Sequence, residues 1–200
     1  MNFKKRKLIC IGNPNDINAA SGTPYYILKY GIKIGLISKG IIFKIPKSKL
    51  TKYLWNLKQF IKTGKYGGYQ YTNFFLNKIV SKILKDNQKN ETHYILSHHP
   101  SLPNYPWPKN FVVDFYIDAT NKQIFEDYGT GTTIDNKFKS EIILREKNAY
   151  EAAGNIFCMC KWAADSVIKD YGINQEKVHV IVGGANLDED ILKKEDQPLC

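Results

Sequence analysis

Cysteine is scarce in this 200-residue chain: Cys10, Cys158, Cys160 and Cys200 are the whole supply. No CxxC occurs, and no Cys/His spacing suits zinc, so a zinc ribbon or a disulfide-stapled scaffold is excluded. Free thiols in a reducing compartment are the expectation. No apolar run is long enough to span a bilayer. The basic start MNFKKRK leads into LICIG, which is too short for a signal-peptide core and reads as a first strand. Nucleotide-binding fingerprints are missing too. No GxGxxG follows the first strand, Gly129-Thr130-Gly131 sits in a polar loop, and GxxxxGK[ST] does not occur. Helix-turn-helix, zinc-finger and RNP patterns are equally absent.

Acidic residues are outnumbered, 19 to 29, for a net charge of +10. That balance favours anionic partners: nucleotide phosphates, anionic lipid or nucleic acid. The basic residues are spread along the chain, so nucleic acid is not the expected partner. A genome-wide bias toward Lys, Asn, Ile and Tyr produces the same surplus with no function attached. With 43% apolar residues the chain buries a full core. The low hydrophobicity and high charge of a disordered chain are not found.

Strand and helix signals alternate along the chain. Lys7 to Gly12 is apolar without alternation, as for a strand covered on both faces. The loop Asn13 to Gly22 follows, and Thr23 and Pro24 open a helix as N-cap and first helical residue. Its stripe is Tyr26, Ile27, Tyr30, Ile34 and Ile37. Strand, Ser21-Gly22-Thr23, helix is a geometry that offers backbone N–H groups to an anion, although a plain connecting loop reads the same way. Gly40 to Ile45 is a second strand. Ser48 to Thr63 is a helix with Leu50, Leu54, Leu57 and Ile61 on one face. Lys49, Lys52 and Lys58 with Trp55 make it a candidate to lie on anionic lipid. An ordinary surface helix on the sheet is the alternative.

Phe74 to Leu84 is a further amphipathic helix. His93 to Ser97 is a strand, with His98-His99-Pro100 just past its carboxyl end, where open α/β sheets bind ligands. Either histidine is a candidate to contact a sugar or phosphate, or the pair is a solvated turn. Phe111 to Ile117 is the next strand, followed by Asp118-Ala119-Thr120. Asp118 either caps the following helix or accepts a hydrogen bond from a hydroxyl. Lys137 to Ala153 is a long helix. Asn155 to Cys160 is a strand, Trp162 to Tyr171 a helix ended by Gly172, and Lys177 to Val182 a strand closed by Gly183-Gly184. Two apolar strands around one helix make a right-handed βαβ unit in a parallel sheet. The fold class is α/β: a Rossmann-like open parallel sheet with helices on both faces. A boundary falls near Asn186.

The stretch "WAADSVIKDYGI" followed by "KVHVIVGGAN" resembles the end of the N-terminal domain of GT-B glycosyltransferases, most of all family 4 (group 1). It departs twice. Cys160 stands where the family has a helix-capping Ser, and Val182-Gly183 replaces a proline turn. "YIDAT" then "IFEDY" is similar to the family's strand–Asp-Ala-Thr–helix segment at the cleft edge. The resemblance implies that residues 1–186 are the acceptor-side domain. Residues 187–200 are then the start of the linker to a donor-binding second domain or a C-terminal tail, and that second domain is expected to be absent from this chain. No glutamate pair here has that domain's Glu-x7-Glu spacing.

The implied reaction is retaining hexosyl transfer from a nucleotide-sugar, taken as substrate, to a hydroxyl acceptor. Lipid-linked acceptors occur in several members. His98, His99 and Asp118 are then catalytic or positioning residues, and Ser21, Gly22, Thr23 and Thr120 contact substrate. No tightly bound cofactor or metal is implied, and the chain alone has little activity. The implied location is the cytoplasm, with peripheral contact to the inner membrane face. A non-catalytic module that binds an acceptor or a partner on the same scaffold is the second reading.

Overall fold

The computed structural model describes residues 5–43, 49–85, 92–98 and 105–181, with Lys49 described by its backbone alone. Six parallel strands form one sheet: β1 (Arg6–Cys10), β2 (Ile37–Ile41), β3 (His93–His98), β4 (Phe111–Ile117), β5 (Ile156–Cys158) and β6 (Val178–Val180). Their order is β2-β1-β3-β4-β5-β6. Six helices connect them: α1 (Thr23–Lys33), α2 (Lys49–Thr63), α3 (Asn73–Lys85), α4 (Asn121–Glu126), α5 (Asn136–Ala152) and α6 (Lys161–Lys169). The expected Rossmann-like α/β sheet, helices on both faces, is what the chain forms. Among the described residues no helix is long and apolar enough to cross a membrane.

Alternation along the strands sorts the core into two layers. Ile9, Ile95, Val113, Phe115, Ile117 and Ile156 point to one face, where α3 and α6 close over them together with Ala149 and Tyr150 of α5. Leu8, Leu96 and Ile37 point to the other face and meet Leu28 of α1. The α1 stripe differs from the sequence expectation. The buried residues are Pro24, Leu28 and Gly31, while Ile34 is exposed. Gly31 is the reason: a Cβ there would lie 2.5 Å from Ile37, so α1 approaches β2 along a glycine rather than an isoleucine. The second strand also starts earlier than expected, at Ile37 rather than Gly40. Beyond it, Phe43 makes only an isolated bridge to Gly12.

One fully buried carboxylate ties β4 to its neighbours. Asp114 accepts from Arg6 Nε at 2.7 Å and from the Asn155 backbone N–H at 2.8 Å. Gly154 is packed against it. A Cβ at that position would lie 2.7 Å from Asp114 Oδ1 and 2.8 Å from Val112. Gly154→Ala is therefore expected to destabilise the fold by about 1–3 kcal/mol through overpacking. A urea midpoint unchanged from wild type would contradict this packing.

Cys160 is the N-cap of α6 and makes no side-chain cap bond. A thiol is a weak acceptor, so the first turn gains little from it. Cys160→Ser is expected to raise stability by about 0.5–1 kcal/mol by capping that turn, read as an upward shift in thermal midpoint.

Candidate functional site

The chain reverses direction at β1. From β1 it crosses to β2 on one side, then returns over β1 to β3 on the other. Ligands in open α/β sheets bind at this switch point, outside the carboxyl ends of the two diverging strands. Here those ends are Cys10 of β1 and His98 of β3, which are register partners. The β1–α1 loop starts at one and the β3–β4 connection starts at the other.

The loop is shaped by its backbone. Asn13 and Asp16 side chains accept from Asn15 and Asn18 N–H groups, which holds the first half in local turns. Ala20 and Ser21 then adopt φ of 45° and 57°, and Gly22 follows at 80°. Left-handed backbone at two consecutive non-glycine residues costs energy and concentrates at ligand-binding places. Ser21 is exposed and Gly22 buried, with Gly22 rather than Thr23 as the N-cap of α1. The cap thus falls one residue earlier than the sequence implies. A side chain at Gly22 is excluded both by φ and by the Ile17 carbonyl, which would lie 3.1 Å from its Cβ.

On the β3–β4 side, His98 is half-buried and its ring lies 5.8 Å from the Tyr116 ring. Burial lowers the His98 pKa below the ordinary 6.5, while the Asp118 charge opposes the shift. At neutral pH the ring is therefore a neutral imidazole, with one nitrogen donating and one accepting. Asp118 follows β4 and is exposed. One of its oxygens accepts from the Ala119 N–H at 2.9 Å. Burial raises the Tyr116 pKa, and the Asp118 charge raises it further. His98, Tyr116 and Asp118 are thus electrostatically coupled at the carboxyl edge of adjacent strands.

Two sequence expectations are corrected here. Asp118 is not the cap of α4. Thr120 is, through a reciprocal capping box with Gln123, whose backbone N–H bonds the Thr120 hydroxyl. Thr120 is fully buried, and its hydroxyl also meets Ser166 Oγ at 2.9 Å. Its polar capacity is spent on the fold, which removes it from the substrate-contacting set. His99 lies outside the described residues. Tyr116 is absent from the sequence-derived candidates, although the strand's alternation signals it: Val112, Asp114, Tyr116 and Asp118 share one parity.

The Asp118 loop is held from beneath by Glu146 of α5. Glu146 is buried and accepts from the Asn121 N–H with both oxygens, at 3.0 and 3.2 Å. It also accepts from Tyr150 Oη at 2.8 Å and from Tyr171 Oη. The start of α4, the body of α5 and the residues after α6 therefore meet at one carboxylate directly behind the Asp118-Ala119-Thr120 turn.

The remaining candidates belong to α2, at a separate place. Lys52 and Lys58 are exposed, and Lys49 opens the helix. Trp55 turns inward: its Nε1 donates to the Gly67 carbonyl at 2.9 Å, and its ring packs on Phe138. It therefore does not join the lysines on the outer surface. Among the described residues no group of His, Cys, Asp and Glu could hold a metal ion.

Fold and switch point together define a doubly wound α/β protein in which the loop with the strained 20–22 turn follows β1, His98 ends β3 and Asp118 follows β4. No family model, no curated protein and no solved structure matches the chain.

Proposed function

We propose that the chain is the acceptor-side half of a retaining, nucleotide-sugar-dependent glycosyltransferase. The observation that carries the proposal is the convergence at the switch point. A strained loop leading into a helix N-terminus stands on one side, and a neutral histidine beside an exposed carboxylate on the other. Hexosyl transfer needs those two chemistries. The departing diphosphate takes a positive helix end, which the start of α1 supplies. The sugar hydroxyls take an imidazole and a carboxylate, which His98 and Asp118 supply. Sequence resemblance to the family 4 N-terminal domain supports the same assignment. A second, donor-binding domain, on this polypeptide or a partner chain, holds most of the nucleotide. The cytoplasm, where buried thiols such as Cys10 and Cys158 stay reduced, is the proposed location.

The test is transfer itself. The tagged protein, recovered with its partners from its source cells, is incubated with radiolabelled nucleotide-hexoses and a cell extract of acceptors. Incorporation of label with retained anomeric configuration is the expected result. Label released only as free hexose, or not at all across the common nucleotide-hexoses, would reject the proposal.

A further inference from the structure

The α2 helix is built inside out. Trp55, on its inner side, is tied to Gly67 and packed on Phe138. Its outward stripe is Leu50, Tyr53, Leu54, Leu57, Phe60 and Ile61, all exposed, with Leu50 at 66% and Ile61 at 77%. A helix that packs only on its own core shows the opposite arrangement. Contiguous exposed apolar surface of this kind marks an interaction site. The spacing within the stripe says more. Leu50, Leu54, Leu57 and Ile61 follow one another at intervals of four, three and four residues, the a/d seam of a coiled coil over two heptads. With Leu54 and Ile61 at a and Leu50 and Leu57 at d, Tyr53 and Phe60 take the g positions, and Thr51 and Lys58 the e positions.

We propose that this seam pairs, antiparallel, with the α2 seam of a second copy of the chain to form a symmetric dimer. Registering Leu54 against Leu57 of the second copy also sets Leu50 against Ile61, so every a position meets a d position. The edges of the seam then match as well. Tyr53 comes beside Phe60 of the second copy on one side, an aromatic pair, and Lys58 comes beside Thr51 on the other. No lysine faces a lysine in this register, because Lys49, Lys52 and Lys62 occupy positions c, f and b, off the seam.

Two heptads are short for an isolated coiled coil, but α2 is already held by the fold, so its helical order costs little further on pairing. The apolar surface also runs past the helix. Phe74 of α3 and Leu144 of α5 are exposed, and they share with Leu54 and Trp55 the walls of a groove of about 840 Å³ beside α2. That groove carries both signs, Lys58 and Arg145 with Glu141. A symmetric interface has to be complementary to itself, and a wall of mixed sign meets that condition. The stripe with Phe74 and Leu144 exposes on the order of 800 Å² per chain, the scale that a standard interface buries on each side. The inference goes beyond the transfer proposal and does not rest on it, since a dimer is read by its mass without any enzymatic activity.

The test is sedimentation equilibrium of the full chain over a concentration series. A mass of two chains is expected, with a dissociation constant of about 10 μM or below. Leu57→Asp with Ile61→Asp alters exposed side chains and spares the core, which circular dichroism checks. This pair is expected to weaken association about a hundredfold or more, because it carries charge into a d and an a position of the seam. Lys52→Glu with Lys62→Glu, at positions f and b, is expected to leave the dissociation constant within about threefold. A monomer at every concentration overturns the pairing. So does a dimer that survives Leu57→Asp with Ile61→Asp, since another surface then joins the copies. Equal weakening by the lysine pair and the aspartate pair overturns it too, because charge in general and not the seam would then govern association. A chain that stays monomeric and co-sediments with phosphatidylglycerol vesicles would put lipid, not a second copy, on the seam.

Discussion

Glu146→Ala is expected to destabilise the domain by about 3–5 kcal/mol, because it leaves three buried donors without an acceptor and opens a cavity. The donors are the Tyr150 and Tyr171 hydroxyls and the Asn121 N–H. Urea unfolding of wild type and variant measures the difference. The same carboxyl gives a pH signature. Burial lifts its pKa from the ordinary 4.5 to about 7, and hydrogen bonds from Tyr171, Tyr150 and Asn121 pull the other way. A folded-state pKa above the unfolded one means that the stabilising contribution is complete below about pH 4.5 and fades as pH rises through 7.

Glu146→Gln keeps the size but removes the titration, so the stability of wild type relative to this variant should decline between those two pH values. A difference that stays flat from about pH 4 to 8 would show that Glu146 does not titrate as its burial dictates. The network also matters to the site, because the Asn121 N–H that Glu146 holds begins the helix directly after Asp118-Ala119-Thr120.

On the proposed transferase function, His98→Ala and Asp118→Asn are each expected to lower kcat/KM for hexosyl transfer by about a hundredfold, the usual scale for one catalytic hydrogen-bonding group. Neither change touches the core contacts that hold β3 to β1 and β4. The His98 pKa is depressed by burial, so the ring stays neutral at pH 7 and becomes cationic only below its ordinary 6.5. Transfer should therefore fall on the acid side of that value in wild type, and the acid limb should disappear in His98→Asn. Transfer by His98→Ala within about twofold of wild type, at unchanged stability, would remove His98 from the site.

The fold is legible in the sequence where its signals are local. Phe111–Ile117 reads as a strand, as β4 is, and Gly172 reads as a left-handed stop, where φ is indeed 68°. A parallel sheet follows from the alternation of strands and helices. The misreadings have one physical source, which is that tertiary packing decides which face of an element goes inward. In α1 the close approach at Gly31 outweighs the Tyr26–Ile34 stripe. In α2 the apolar stripe is visible, but its direction is not: Trp55 anchors the polar side to Gly67 and Phe138, and the leucines are left outside.

At the site, His98 and Asp118 stand out in the sequence because each lies at the carboxyl end of a strand. Thr120 misleads because a capping box and a substrate contact use the same hydroxyl. The strain at Ala20 and Ser21 has no sequence signal, since neither residue type demands a positive φ.

The site is tested most directly by titrating the isotope-labelled chain with a nucleoside diphosphate at millimolar concentration and following its amide resonances. Shifts centred on Ala20, Ser21, Gly22 and Thr23, with smaller ones at His98 and Asp118, are the expected result, since those amides surround the switch point. Shifts confined to α2, or none at all, would contradict the assignment of the carboxyl ends of β1, β3 and β4 as the diphosphate-facing site.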